Sequence, residues 1–422
     1  MACKNISLRL LRSDHTGCLI SKQQIRQLSI HEYQSQDLLK QFGVPVPRGK
    51  VAQSPDEVRA IIEELGGRCV VKSQILRGGR GKGTFDSGLQ GGIQMVESPE
   101  AGKEIASKML GHRLKTKQTP SKGLKVDKLY VVETIKYHDE WYLAMTIDRE
   151  QYKPAIIISK SGGVDIETMA KESPEKLLTF HFNLTQGITA ELISEISRAL
   201  RTSVAETKNL EQILSRMHSL FVSKDATLLE INPLVRSSDS TFTCLDAKFS
   251  FDNAAEKRQQ DLFALRDVEH EVSEELEAEK YGLVYVRMDG NIGNVVNGAG
   301  LAMATNDAIA HSGGASANFL DAGGQATKET MMKAFEIILR DERVKTILVN
   351  IYGGITRCDM IAESIIGAAK ELGSLRVPVV VRLQGTNSEE GLKLVEKANL
   401  GLHTESGFGD AAKKAVELAK SA

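Results

Sequence analysis

The chain has 422 residues, enough for two or three domains, and 41% of them are hydrophobic while only 5% are aromatic. Lys and Arg number 54 against 55 Asp and Glu, a formal net charge of −1, which excludes a strongly basic, dedicated nucleic-acid binder. No run of 18 apolar residues occurs, so no segment reads as a membrane-spanning helix, and 36 glycines beside few aromatics favour an α/β chain over an aromatic-rich all-β fold.

Residues 1–28 hold Lys4, Arg9, Arg12, Lys22 and Arg26 but a single acid, Asp14. Leu8, Leu10, Leu11 and Leu19 supply an apolar stripe. Arg-rich, acid-poor and amphipathic is the pattern of an organelle transit peptide, with a cleavage site expected within Arg26–Ser29. Taking this segment away moves the net charge from −1 to −5. The five cysteines, Cys3, Cys18, Cys69, Cys244 and Cys358, form no C-x-x-C pair, so neither a zinc site nor a disulfide framework is expected.

Folded structure is expected from residue 29. Ser29-Ile30-His31-Glu32 has the form of a capping box opening a helix that runs through Leu38 and Leu39. From 29 to 265 strands and helices mix. A strand at 49–53 precedes a helix opened by Ser54-Pro55-Asp56-Glu57 and ended by Gly66-Gly67. Strands follow at 69–75, 129–135, 141–147, 155–159, 226–231 and 242–249, with helices at 191–201 and 210–222. The strands cluster in adjacent pairs, which predicts antiparallel sheets. Residues 266–280 carry six glutamates and read as a charged linker. From 281 to 422 the rhythm becomes a regular β–α alternation with apolar strands at 283–287, 317–320, 346–351 and 377–383. That predicts a parallel sheet covered on both faces, with ligands at the carboxyl ends of its strands.

Four clusters carry chemistry. In Lys72-Ser73-Gln74-Ile75-Leu76-Arg77-Gly78-Gly79-Arg80-Gly81-Lys82-Gly83 a lysine ends a buried strand and a loop of glycines and cations follows. Such a loop can wrap phosphate oxygens with backbone N–H groups, although it is not a P-loop. Glu230-Ile231-Asn232-Pro233 and the nearby Asp246 place carboxylate and amide oxygens within apolar strands, a donor set that suits Mg²⁺ shared with nucleotide phosphates. Asp289-Gly290-Asn291-Ile292-Gly293 with Asn297-Gly298-Ala299-Gly300 and Asp321 imitates a dinucleotide fingerprint, but Met303 stands where a small residue is needed, so no dinucleotide site is expected. Asn350-Ile351-Tyr352-Gly353-Gly354-Ile355-Thr356 ends a strand ahead of a helix and suits an anion at a helix N-terminus. Neither G-x-S-x-G nor H-E-x-x-H occurs, and the nine histidines are scattered.

Several segments together resemble the β subunit of succinate–CoA ligase over nearly the whole chain after residue 28. They are HEYQSQDLLKQFGVPVP, VVKSQILRGGRGKG, LLEINPLV, CLDAKF, DGNIGNVVNGAGLAMA, ANFLDAGG, LVNIYGGI and VPVVVRLQGTN. The resemblance implies an ATP-grasp nucleotide-binding half followed by a flavodoxin-like CoA-ligase half, in the mitochondrial matrix. It implies an α subunit that binds CoA and carries a histidine phosphorylated during turnover, with succinate, phosphate and ATP/ADP (or GTP/GDP) as substrates, and no nucleic acid or membrane. By the same resemblance Lys72, Gly79, Arg80, Gly81, Glu133 and Glu140 bind nucleotide, and Asn232 and Asp246 hold Mg²⁺. Glu230 with Gly353, Gly354 and Ile355 meets the phosphohistidine, and Asn297, Gly354, Ile355 and Thr356 line the succinate side. Asn294, Gln325, Tyr352 and Thr356 depart from common family residues, and none removes an implied phosphate or metal ligand. Pro47 resembles the ADP-forming branch, whereas 115–120 and 123–126 resemble the GDP-forming one; ADP is favoured. A malate– or citrate–CoA ligase subunit and a non-catalytic nucleotide-binding scaffold are the competing readings.

Overall fold

The computed structural model describes residues 27–120, 122–268, 272–324, 327–354, 357–373 and 375–421, and these divide into two units, 27–268 and 272–421. The basic leader lies outside the described residues except for Gln27 and Leu28, and so do Gln325, Ile355 and Thr356.

Gln27 and Leu28 shift the expected start of the fold. Gln27–Ser29 is a strand paired antiparallel with Ala247–Asp252, and Leu28 is buried. The pairing also displaces the expected cap. Ser29 belongs to the strand, and helix Glu32–Gln41 is capped at His31, whose N–H donates to Gln34 Oε1 at 2.8 Å. Burying Leu28 and Ile30 on the sheet outweighs the cap, a feature that contributes on the order of 1 kcal/mol.

The first unit contains two larger antiparallel sheets. One has four strands in the order Gly49–Ala52, Leu129–Glu133, Cys69–Ser73, Ile93–Val96. Helices Pro55–Leu65 and Pro99–Met109 cover one face, burying Val58, Ile62 and Met109 against Val71 and Val131. The first helix starts as its Ser-Pro sequence predicts, with Ser54 Oγ accepting from the Glu57 amide, and Ser98 Oγ caps the second by accepting from the Ala101 amide, each at 3.2 Å. The other sheet runs Gln27–Ser29, Ala247–Asp252, Ala226–Arg236, Asp139–Asp148, Lys153–Ser159, Leu178–His181, with Phe242–Cys244 attached to Ala226–Arg236. Helices Ala190–Leu200 and Val204–Ser223 close its core, in which Trp141 meets Phe242 edge-on at 5.0 Å. The antiparallel pairing matches the expectation from adjacent strand pairs.

In the second unit six strands are ordered Val284–Arg287, Asn318–Asp321, Ile292–Val296, Thr346–Gly353, Val379–Gly385, Leu402–Thr404. The last five are mutually parallel, and their order is the flavodoxin-like 2-1-3-4-5. Two expectations change here. The strand predicted to open the parallel sheet, Val284–Arg287, is an antiparallel edge strand. The strand that does open it, Ile292–Val296, lies inside the glycine- and asparagine-rich motif read as a loop, and all five of its residues are buried. The expected linker is also partly structured: Ser273–Lys280 is a helix with Ala278 buried, and Glu277 pairs with Arg340 and Lys333. Among the described residues, no helix is long and apolar enough to cross a membrane.

Candidate functional site

In strand Cys69–Ser73, Cys69 and Val71 face the helix-covered core, so Lys72 projects from the opposite face. Its ammonium is buried and donates to Glu32 Oε1 at 2.6 Å and to the Leu245 carbonyl at 2.8 Å. Arg80 ion-pairs with Glu32 Oε2 at 2.8 Å and with Asp246 Oδ2 at 3.0 Å, and donates to the Ser73 carbonyl at 2.8 Å. Two cations and two carboxylates alternate in a balanced cluster. Burial alone would raise the Glu32 carboxyl, but Lys72 and Arg80 more than offset it and hold it below its ordinary value. Asp246 moves the other way: burial and the Glu32 charge push it up against the pull of Arg80 and Lys72. The glycine loop is braced rather than free. Gly78 N–H donates to Gln118 Oε1 at 2.9 Å, Thr116 Oγ1 donates to the Gly78 carbonyl at 3.1 Å, and Gly92 N–H donates to the Arg80 carbonyl at 2.8 Å.

Asn232 joins this cluster through the main chain, its N–H donating to the Asp246 carbonyl at 3.1 Å. The Asn232–Pro233 peptide is cis. Asn232 Oδ1 accepts from Gly163 N–H at 2.7 Å and its Nδ2 donates to the Val164 carbonyl at 3.1 Å. Glu140 lies beside the same turn: Gly162 N–H donates to its carbonyl at 2.7 Å, and Tyr137 donates to its Oε1 at 2.7 Å. That hydrogen bond pushes the Tyr137 hydroxyl up to about 12. Gly163 has φ +66°, and a Cβ there would stand 1.8 Å from Glu140 Oε2. Glu230, opposite Lys248 in register, accepts from Tyr142; burial raises its carboxyl above the ordinary range, with Asp246 adding to the rise.

Lys72, Arg80, Asn232 and Asp246 are therefore brought together, with Glu140 joined to them through the Gly162-Gly163 turn. Glu133 is not part of the cluster. It pairs with Cys69, three strand positions from Lys72, or about 10 Å at ~3.3 Å per residue. Its carboxylate holds the Arg48 guanidinium at 2.7 Å and the Arg48 N–H at 2.8 Å. Among the described residues no group of three or more His, Cys, Asp and Glu side chains could hold a metal. An amide oxygen and one carboxylate are a donor set that fits a small hard cation completed by phosphate oxygens and water. Sequence reasoning missed Glu32 as a functional residue, along with Tyr142, Gly163 and the Thr116–Gln118 brace. A signal for Glu32 existed: Glu32, Gln34, Ser35 and Gln36 make the start of the helix polar on every side, and all four are buried.

In the second unit the parallel order reverses between Ile292–Val296 and Thr346–Gly353. Asn297, just past the first of these strands, clasps the end of the second. Its Nδ2 donates to the Tyr352 carbonyl at 2.9 Å and its Oδ1 accepts from Tyr352 N–H at 2.8 Å. Gly353 and Gly354 stand beside this clasp. They stand at a strand's end ahead of a helix, as the motif predicts. Gly353 stays paired with Gly385 as the last residue of its strand, the Gly354 carbonyl accepts from Thr386 Oγ1 at 3.0 Å, and the helix starts at Cys358. Ile355 and Thr356 fall between, outside the described residues. Asp321, the acid of the dinucleotide imitation, accepts from Gly298 N–H at 2.6 Å and Gly323 N–H at 2.8 Å, so it is engaged by the backbone.

Residues 29–236 match the family described as ATP-grasp domain, and residues 295–421 match the CoA-ligase family. The chain is 44% identical over 402 residues to the mitochondrial ADP-forming succinate–CoA ligase subunit beta of Neurospora crassa, covering 95% of this chain and 90% of that protein. It is 45% identical to the Arabidopsis thaliana mitochondrial counterpart, with 94% of each covered, and 45% identical to the Caulobacter vibrioides subunit, covering 94% of this chain and all of that one. In fold it is similar to an ATP citrate lyase from Methanothrix soehngenii, with a TM-score of 0.66 at 19% identity over 94% of this chain and 100% of the other. With an ATP-grasp unit followed by a flavodoxin-like unit, and with identities of this order over nearly its full length, the chain belongs to the succinate–CoA ligase beta-subunit family.

Proposed function

We propose that the chain is the nucleotide-handling subunit of a mitochondrial, ADP-forming succinate–CoA ligase of the tricarboxylic acid cycle, working in the matrix with an α subunit that binds CoA and carries the phosphohistidine. The observation that carries this reading is the contact of Arg80 with Asp246, which sets the proposed phosphate-binding loop against the proposed metal ligand. In this reading succinyl-CoA and phosphate give succinyl phosphate and CoA. The phosphoryl group passes from succinyl phosphate to the α-subunit histidine, releasing succinate, and then to a terminal oxygen of the nucleoside diphosphate, freeing the histidine.

Lys72 and Arg80 hold phosphate oxygens, and the N–H groups of Gly79–Gly81 orient them. Glu133 and Glu140 lie toward the nucleoside end. Asn232 and Asp246 would hold Mg²⁺, which neutralises phosphate charge when bound. Glu230, its carboxyl raised by burial, meets the incoming phosphohistidine. In the second unit Asn297 and Gly354 serve the succinate side, a role the family resemblance extends to Ile355 and Thr356. The basic leader before Gln27 is proposed as the transit peptide, because Gln27–Ser29 is part of the folded sheet. ADP is favoured on Pro47 and on the names of the relatives, most of which are ADP-forming with one GDP-forming. The test is reconstitution with the α subunit and comparison of succinate, malate and citrate, each with CoA and either ATP or GTP. Succinate with ATP should turn over fastest; equal or faster turnover of malate or citrate would overturn the assignment.

A further inference from the structure

The Lys72 and Arg80 side chains reach their cluster from different elements, a strand and a turn, and one buried carboxylate touches both. Each Glu32 oxygen takes one cation, Oε1 at 2.6 Å from Lys72 and Oε2 at 2.8 Å from Arg80. The Glu32 side chain is only 2% exposed, so no surface role accounts for it. Helix Glu32–Gln41 anchors that carboxylate: Ser35 and Gln36 are buried beside it, and Gln36 is tied to the Leu245 carbonyl at 2.8 Å and to the Tyr130 hydroxyl at 3.1 Å. The fork therefore comes from an element outside the glycine loop, outside the strand bearing Asn232 and outside the connection bearing Asp246. We infer that Glu32 is a positioning residue for nucleotide binding, holding Lys72 and Arg80 so that both address the same phosphate groups. This rests on the nucleotide-handling reading above and adds to it a residue that touches neither phosphate nor metal. Without the fork, Lys72 keeps only the Leu245 carbonyl and Arg80 keeps Asp246 and the Ser73 carbonyl. Arg80 is then drawn onto the carboxylate that the metal needs.

The test uses the full chain, alone for MgADP titration calorimetry and with the α subunit for kinetics. Glu32→Gln keeps the side-chain shape. It should weaken MgADP binding by about tenfold or more and raise the KM for ADP in parallel, leaving the KM for succinyl-CoA unchanged. Glu32→Asp, which keeps the charge on a shorter arm, should recover part of the loss and serves as the readout if Glu32→Gln folds poorly. In a Lys72→Met chain, Glu32→Gln should add little, because its effect runs through the cations. Unchanged or tighter MgADP binding in Glu32→Gln, or a loss fully additive with Lys72→Met, overturns the inference while leaving the nucleotide-handling reading standing. Absence of MgADP binding by the unaltered chain overturns both.

Discussion

Asp246 and Asn297 belong to different units, and their substitutions should fail in different assays. Asp246→Asn removes the charge that meets Arg80 and that a Mg-nucleotide would use, so MgADP affinity of the chain should fall about tenfold or more in titration calorimetry. Asn297→Ala leaves the Tyr352 N–H and carbonyl without their clasp, an effect of about 0.5–1.5 kcal/mol per hydrogen bond at this exposed strand end. It should lower turnover with the α subunit while MgADP binding stays at the wild-type value. A loss of MgADP binding in Asn297→Ala, or none in Asp246→Asn, would contradict the division. At this scale the candidate site was legible where a charge interrupts an apolar pattern: Lys72 at the end of a buried strand, Glu230 between Leu229 and Ile231, and Asp246 between Leu245 and Ala247. Glu32 was not legible as a site residue, because an acid in the first turn of a helix is what capping alone already explains.

At the scale of elements, the turn that carries Gly163 fixes Asn232 and Glu140 together. Gly163→Ala requires a left-handed φ, a strain of about 1–3 kcal/mol, and sets a methyl against Glu140. It should lower both the melting temperature and nucleotide affinity, and wild-type behaviour in both would show that the turn does not position them. Helix Ser273–Lys280 docks through Glu277, whose carboxyl the Arg340 hydrogen bonds hold at about 2 against an ordinary 4.5. A depressed carboxyl contributes stability that is present above its unfolded value and lost as pH falls through the folded one. The stability gap between the wild type and Glu277→Gln should therefore be full at pH 6 and close between about 4.5 and 2. A gap that does not change over that range would contradict the pairing. The β–α rhythm of the second unit was legible because its helices and most of its strands carry unbroken apolar faces. Ile292–Val296 was not, because Gly293 and Asn294 look like loop residues. Asn294 is accommodated in the interior by Asn318 and Asn306, which meet it at 2.8–3.1 Å across the sheet and helix. The antiparallel direction of Val284–Arg287 has no local signature, since pairing direction is set by the partner strand rather than by the segment itself.

For the whole molecule, the domain order was legible once long motifs combined, while the start of the fold was not. Strand Gln27–Ser29 is held on the sheet by pairing that local sequence does not announce. The mature N-terminus, read by mass spectrometry of the imported protein, should fall at or before Gln27, and cleavage beyond Ser29 would contradict the strand's place in the fold. In the proposed function this chain completes a split catalyst by moving a phosphoryl group from a partner's histidine to a nucleotide. The most direct measurement loads the α subunit with radiolabelled phosphate and then adds MgADP with and without this chain. Label should move to ATP only when the chain is present, and Asp246→Asn should abolish most of the transfer. Label that reaches ATP without the chain, or that stays on the α subunit in its presence, would contradict it.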